Sequence, residues 1–150
     1  MKKFILILII VLSGCHPLFC SWEIGYTQLK TRPDNSEIVG IYKLSDDSRD
    51  FLEARNYKKD NYKLTLLSNG EFEFKNAPDM IFDTWGESNK KLLNRNGIWN
   101  VSCAESYDCL IELQGVCVVP LTIKDNRLSI PITIGDGDFC EGIVYEKIAE

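Results

Sequence analysis

Histidine is almost missing from this chain: His16 is the only one in 150 residues. A serine or cysteine nucleophile needs a base within hydrogen-bond reach, and structural or catalytic metal sites draw heavily on imidazole. A lone histidine near the N-terminus leaves both chemistries short of parts. No Cys-x-x-Cys pair occurs, which removes the commonest thiolate metal motif. Glycine-rich phosphate loops, basic runs, internal repeats and low-complexity tracts are also lacking. The formal net charge is -5, and an acidic chain without basic runs is a poor partner for nucleic acid or anionic headgroups. Long apolar runs are equally scarce. The longest, Phe4 to Leu12, has nine residues, whereas a membrane-spanning helix needs roughly 20.

That short run is nevertheless informative. Lys2 and Lys3 precede it as a positive n-region, the apolar stretch follows, and His16 and Pro17 come too soon for a permanent span, so residues 1–14 read as a signal peptide. Ordinary secretory cleavage wants small residues at the site, and Leu12 is not small. Leu12-Ser13-Gly14-Cys15 resembles the lipobox of bacterial lipoprotein precursors, in which cleavage depends on prior modification of the cysteine thiol. The resemblance covers residues 1–15 and implies one role for one residue. Cys15 becomes the N-terminus, carrying a thioether diacylglycerol and an amide-linked, palmitate-type acyl chain. Two or more chains hold a protein stably on a membrane where one holds it marginally. By the same resemblance the protein belongs to the cell envelope, and His16 after the cysteine implies the outer membrane if the host is Gram-negative.

Removing residues 1–14 takes two lysines, leaving 15 basic against 22 acidic side chains and a net charge of -7. The remaining 136 residues suffice for one domain with a sizeable core. Residues 15–36 carry Pro17, Gly25, Pro33 and Asn35 with little periodicity and read as a tether and lead-in, with Trp22 and Tyr26 either packing on the domain or resting at the membrane interface. Residues 37–150 read as a single β domain.

Export places the cysteines where disulfides persist. With Cys15 lipidated, Cys20, Cys103, Cys109, Cys117 and Cys140 remain, an odd number. Four cysteines allow three pairings. Chain order favours Cys103 with Cys109, bracketing one hairpin turn, and Cys117 with Cys140, leaving Cys20 over.

The domain itself alternates short apolar strands with turn residues. Ile38 to Leu44 is a first strand with a bend at Gly40, and Asp46 to Asn56 is the one plausible helix, capped by Ser45 or Asp46. In the Lys63 to Lys75 hairpin a two-residue Asn69-Gly70 turn would set Leu66 against Glu73. A three-residue Ser68-Asn69-Gly70 loop instead pairs Leu66 with Phe72 and Leu64 with Phe74, which keeps one face apolar. Met80 to Trp85 reads as a strand or an inward-folded loop. Asn96-Gly97 reads as a turn, followed by strands over Ile98 to Cys103, Cys109 to Leu113, Val116 to Ile123, Leu128 to Ile134 and Gly142 to Ile148. The Asp125-Asn126 turn sets Pro120 opposite Pro131, where pairing must break because neither can donate. The expected fold is mainly β, an antiparallel up-and-down meander closing into a small barrel with one short helix after the first strand. It is loosely similar to lipocalin-like bacterial lipoproteins, and a two-sheet sandwich is the alternative.

Candidate catalytic groups are few. Glu71 and Glu73 share a strand face and could form a carboxylate pair; a solvated face explains them as well. Asp136 and Asp138, with Glu141, are oxygen ligands of the kind calcium takes, and a plain turn explains them too. Neither a metal nor a cofactor is expected. The functional expectation is a lipid-anchored, non-catalytic binding or inhibitory module holding a protein partner or a small apolar ligand. Its alternatives are a structural envelope protein acting through assembly and a hydrolase.

Overall fold

The computed structural model describes residues 20–148. Its strands are β1 (Thr27–Gln28), β2 (Gly40–Leu44), β3 (Lys63–Leu66), β4 (Glu71–Pro78), β5 (Leu92–Ala104), β6 (Tyr107–Leu113), β7 (Cys117–Pro120), β8 (Thr122–Lys124), β9 (Arg127–Thr133) and β10 (Gly142–Lys147). Two α-helices interrupt them, α1 (Asn35–Ile38) and α2 (Asp46–Ala54). All strands belong to one antiparallel sheet of order β1-β8-β9-β10-β2-β3-β4-β5-β6-β7. β7 and β8 are one bent strand interrupted at Leu121, so the sheet curls into a nearly closed up-and-down barrel and not a sandwich.

The seam follows from proline chemistry. β7 pairs only with β6, from Leu110↔Pro120 to Leu113↔Cys117. β8 pairs with β9 through Thr122↔Ser129 and Ile123↔Leu128. Continuing that register would set Pro120 against Pro131, and ladder pairing stops there as expected, since proline has no N–H to give. The lead-in fills the gap. Thr27 and Gln28 pair with Ile123 and Thr122. Leu29 then donates its N–H to Leu121 O at 3.0 Å, while its own carbonyl accepts from Cys109 N at 2.6 Å.

The Lys63–Lys75 hairpin takes the three-residue loop. Leu66↔Phe72 and Leu64↔Phe74 are cross-strand partners, and Gly70 has φ +86°, a left-handed conformation that costs glycine nothing. Asp125 and Asn126 both have positive φ, 49° and 60°, the pattern of a two-residue type I′ turn. α2 is capped by Ser45, whose Oγ accepts from Ser48 N at 3.2 Å. Met80 and Ile81 are buried in a 3-10 turn, Asp79–Phe82, so the start of that stretch is an inward-folded loop, whereas Trp85 at its end is exposed.

Three expectations about the elements fail. The helix after the first strand is not the one helix, because Asn35–Ile38 is helical too, which takes Ile38 out of the strand and starts β2 at Gly40. Asn96-Gly97 is no turn, because Gly97 lies inside β5 opposite Phe72. A Cβ at Gly97 would lie 2.8 Å from Phe72 Cε1 and 2.9 Å from Cζ; the glycine makes room for a ring and does not reverse the chain. The N-terminal lead-in is also less of a tether than its composition suggests. Residues 20–29 run along β10 and end in the seam, with the Trp22 ring so close to Gly142 that a Cβ there would lie 2.3 Å from it, and Tyr26 Oη donating to Glu146 Oε1 at 2.6 Å.

The barrel interior is filled. Tyr42, Leu64, Leu66, Phe72, Ile111, Leu113, Ile130, Ile132 and Tyr145 are buried. Phe74 packs edge-on against Phe72, Phe82 and Tyr145, with centroids 5.5 to 5.8 Å apart. Aromatic pairs in this geometry add to the stabilisation that burial alone supplies.

Candidate functional site

With the lumen occupied by side chains, concave space lies outside. A groove with a volume of about 680 Å³ sits where β1, α1, the β8–β9 turn and the end of β10 meet. Its apolar surface comes from Leu29, Pro33, Ile123, Leu128 and Ile148; its polar rim includes Arg32, Glu37, Arg127 and Lys147. Four separate segments contribute, brought together by the seam: Leu29 is fixed by backbone bonds to Leu121 and Cys109, and this sets the course of Thr31, Arg32 and Pro33.

The rim cations are held mainly by neutral oxygens. Arg32 Nη1 donates to Val101 O at 2.8 Å and Nη2 to Asn35 Oδ1 at 3.2 Å. Lys147 Nζ donates to the Glu37 carbonyl. Arg127 approaches Glu146 at 3.6 Å, but that carboxylate also accepts from Tyr26. Among the described residues neither Arg32 nor Lys147 pairs with a carboxylate. The Glu37 carboxylate is turned to the Asp34 N–H at 2.9 Å, completing the cap of α1. The groove therefore joins an apolar surface to a locally positive rim on an otherwise acidic chain, an arrangement that attracts an anion attached to an apolar body.

A second polar cluster organises the far end of the barrel. Asp79 Oδ1 accepts from Tyr57 Oη at 2.6 Å and from Ser88 Oγ at 2.7 Å, and Oδ2 accepts from Asn89 N at 2.8 Å. Burial pushes the Asp79 carboxyl up, but these bonds and backbone N–H groups outweigh it and hold the carboxyl below its ordinary range. The Tyr57 phenol is pushed up to about 12, first by burial and then by its bond to the Asp79 anion. Every member is satisfied by the others, so the cluster pins the 79–91 loop.

Cys103 and Cys109 form the expected disulfide. The expected Cys117–Cys140 bridge is wrong: Cys140 is bonded to Cys20, with Cα atoms 5.1 Å apart, and among the described residues Cys117 is the free thiol. The reason is the ordered lead-in, which carries Cys20 to the loop after β9, whereas Cys117 begins β7 opposite Leu113. Burial pushes the Cys117 thiol up to about 12, which makes it a weak nucleophile.

The other candidate groups do not converge. Glu71 and Glu73 are exposed along β4, with Glu71 accepting from the Asn69 side chain at 2.7 Å. Asp136 Oδ1 accepts from Asp138 N at 3.1 Å in a capped turn, while Glu141 turns away to an ion pair with Arg55. Among the described residues no group of three or more His, Cys, Asp or Glu side chains is placed to hold a metal ion. Cys15, His16 and the whole signal segment lie outside the described residues.

None of the groove residues stands out in the sequence. Arg32, Arg127 and Lys147 belong to no local motif, because the groove is assembled from distant segments. Comparison with protein-family models, with curated proteins and with solved structures finds no match.

Proposed function

We propose that this chain is an envelope lipoprotein, anchored through diacylglycerol on Cys15, that works by non-catalytic binding of an anionic amphiphile in the groove between β1, α1 and the β8–β9 turn. The observation that carries this reading is the pairing of an apolar surface, Leu29, Ile123, Leu128 and Ile148, with Arg32 and Lys147, whose charges are not matched by carboxylates among the described residues. A carboxylate or phosphate head meets the rim while its apolar portion covers the groove. Charge-assisted hydrogen bonds to such a head are worth roughly 1.5–3 kcal/mol each, and burial adds about 25 cal/mol per Å² of apolar surface. The packed lumen supports a site on the outer surface in place of the internal apolar pocket that a hollow barrel would offer.

The test is fluorescence titration with a dansyl-labelled fatty acid and its neutral primary-alcohol counterpart. The fatty acid is expected to bind saturably and more tightly than the alcohol. Arg32→Gln and Lys147→Met should each weaken the acid about tenfold, the effect of one lost charge-assisted contact, and leave the alcohol unchanged. Equal binding of acid and alcohol, or no saturable binding, would overturn the reading. Any soluble form must retain Cys20, since starting the chain at Ser21 would remove one half of the Cys20–Cys140 bridge.

A further inference from the structure

We propose that the end of the barrel carrying Trp85 and Phe139 seats directly on the surface of a zwitterionic phospholipid bilayer, with both rings at headgroup depth; this rests on the Cys15 anchor. Trp85 and Phe139 are each 74% exposed, the highest values among the exposed large apolar residues. Their loops are interlocked. A Cβ on Gly135 would lie 2.6 Å from Trp85 O, and one on Gly86 would lie 2.8 Å from Ile134 Cγ2. The Trp85 loop is further shaped by Asp83 Oδ1, which accepts from Trp85 N at 2.9 Å and Glu87 N at 3.0 Å. Two large rings are thus presented to water from one end of the molecule, on loops that the fold holds together.

Covalent connectivity says what covers them. Phe139 is followed by Cys140, and Cys140 is bonded to Cys20, so the N-terminal chain arrives at the described domain beside Phe139. Cys15 lies five residues earlier. Five residues span at most about 18 Å when fully extended, so lipid on Cys15 cannot be farther than that from Cys20. The bilayer surface is consequently within reach of this end, and the groove lies at the opposite end of β9, seven residues or about 23 Å away. A short tether raises the effective concentration of the surface to the millimolar range, where two interfacial aromatics suffice for contact. Tryptophan suits this depth because its ring is apolar and its indole N–H stays with water.

The charges at this end select the lipid. Asp83, Glu87, Asp136 and Asp138 flank the two rings in sequence, against Lys90 and Lys91 farther along the Trp85 loop, of which Lys90 lies over the Tyr57 ring; the nearby Arg55 is engaged with Glu141 and the Phe51 ring, so carboxylates are in excess. Anionic headgroups are disfavoured by these carboxylates, and zwitterionic ones are not. Seating this end leaves the groove facing away from the membrane.

The experiment uses the full-length lipidated protein reconstituted into phosphatidylcholine vesicles, with and without brominated acyl chains. Trp99 is buried and Trp22 packs on Gly142, so Trp85 is the exposed reporter. Brominated lipid is expected to quench the emission of the parent. The quenching should disappear in Trp85→Phe, fall in Phe139→Ser, and weaken when phosphatidylglycerol replaces part of the phosphatidylcholine, while all three proteins float with the vesicles. If the parent floats but is quenched no more than Trp85→Phe, the seating is overturned and the anchor survives. If the parent does not float, both the anchor and the seating fall.

Discussion

The backbone N–H of Leu29 donates to the carbonyl of Leu121 at 3.0 Å, and this bond helps to join the lead-in to the point where the ladder stops between two prolines. Leu29→Pro removes the donor and leaves the Leu121 carbonyl unpaired at a buried residue. The expected loss is about 1 to 3 kcal/mol of unfolding free energy, read from urea denaturation. Thr27→Pro, at an exposed edge position, should cost less. Equal losses would mean that the seam contributes nothing.

Cys20–Cys140 closes a loop with sequence separation 120, against 6 for Cys103–Cys109. Chain-entropy reasoning assigns about 5 kcal/mol to the long loop and about 2 kcal/mol to the short one. Cys20→Ser should therefore lower the urea midpoint more than Cys103→Ser. Non-reducing peptide mapping should leave Cys117 unbridged. With its thiol pushed up to about 12, Cys117 should react slowly with iodoacetamide near neutral pH and quickly once the protein is unfolded.

Gly97 is required by the Phe72 ring and not by a backbone angle. Gly97→Ala should destabilise the protein by an amount within the 1 to 3 kcal/mol range of overpacked cores, and that penalty should shrink in a Phe72→Leu background. Additive losses in the double variant would remove the ring from the explanation. Gly70→Ala meets open space at φ +86° and should cost about 1 to 2 kcal/mol through strain alone, whatever occupies position 72.

Asp79 sets an acid limit on the 79–91 loop. Its folded-state carboxyl lies below the ordinary 3.8, so its stabilisation is complete above the unfolded value and is lost as pH falls through the lowered folded one. The stability difference between the parent and Asp79→Asn should be flat above about pH 5 and shrink below the ordinary value. Urea midpoints across that range provide the check. A difference that grows on acidification would contradict the assignment.

Much of the barrel is legible in the sequence because period-2 patterning and turn chemistry act locally. The parity of Leu64, Leu66, Phe72 and Phe74 selects one loop length, and Pro120 and Pro131 mark where the ladder must stop. Gly97 misleads because a glycine beside an asparagine has the same signature whether it turns the chain or accommodates a ring from the neighbouring strand. The lead-in misleads because its interactions are non-local: Trp22 against Gly142, Tyr26 to Glu146 and Leu29 in the seam lie about a hundred residues from their partners. The groove shares that origin. Once residues 20–33 are ordered, Cys20 reaches Cys140 and Arg32 shares a groove with the end of β10.

The most direct measurement is a heteronuclear NMR titration of the disulfide-intact domain with dodecanoate. The account predicts shift changes concentrated at Leu29, Arg32, Ile123, Leu128 and Lys147, saturating with added ligand, none at the filled barrel interior, and dodecanoate recovered unaltered. Shifts centred on core residues such as Phe72 and Tyr145, no saturable shifts at all, or chemical conversion of the ligand would contradict it.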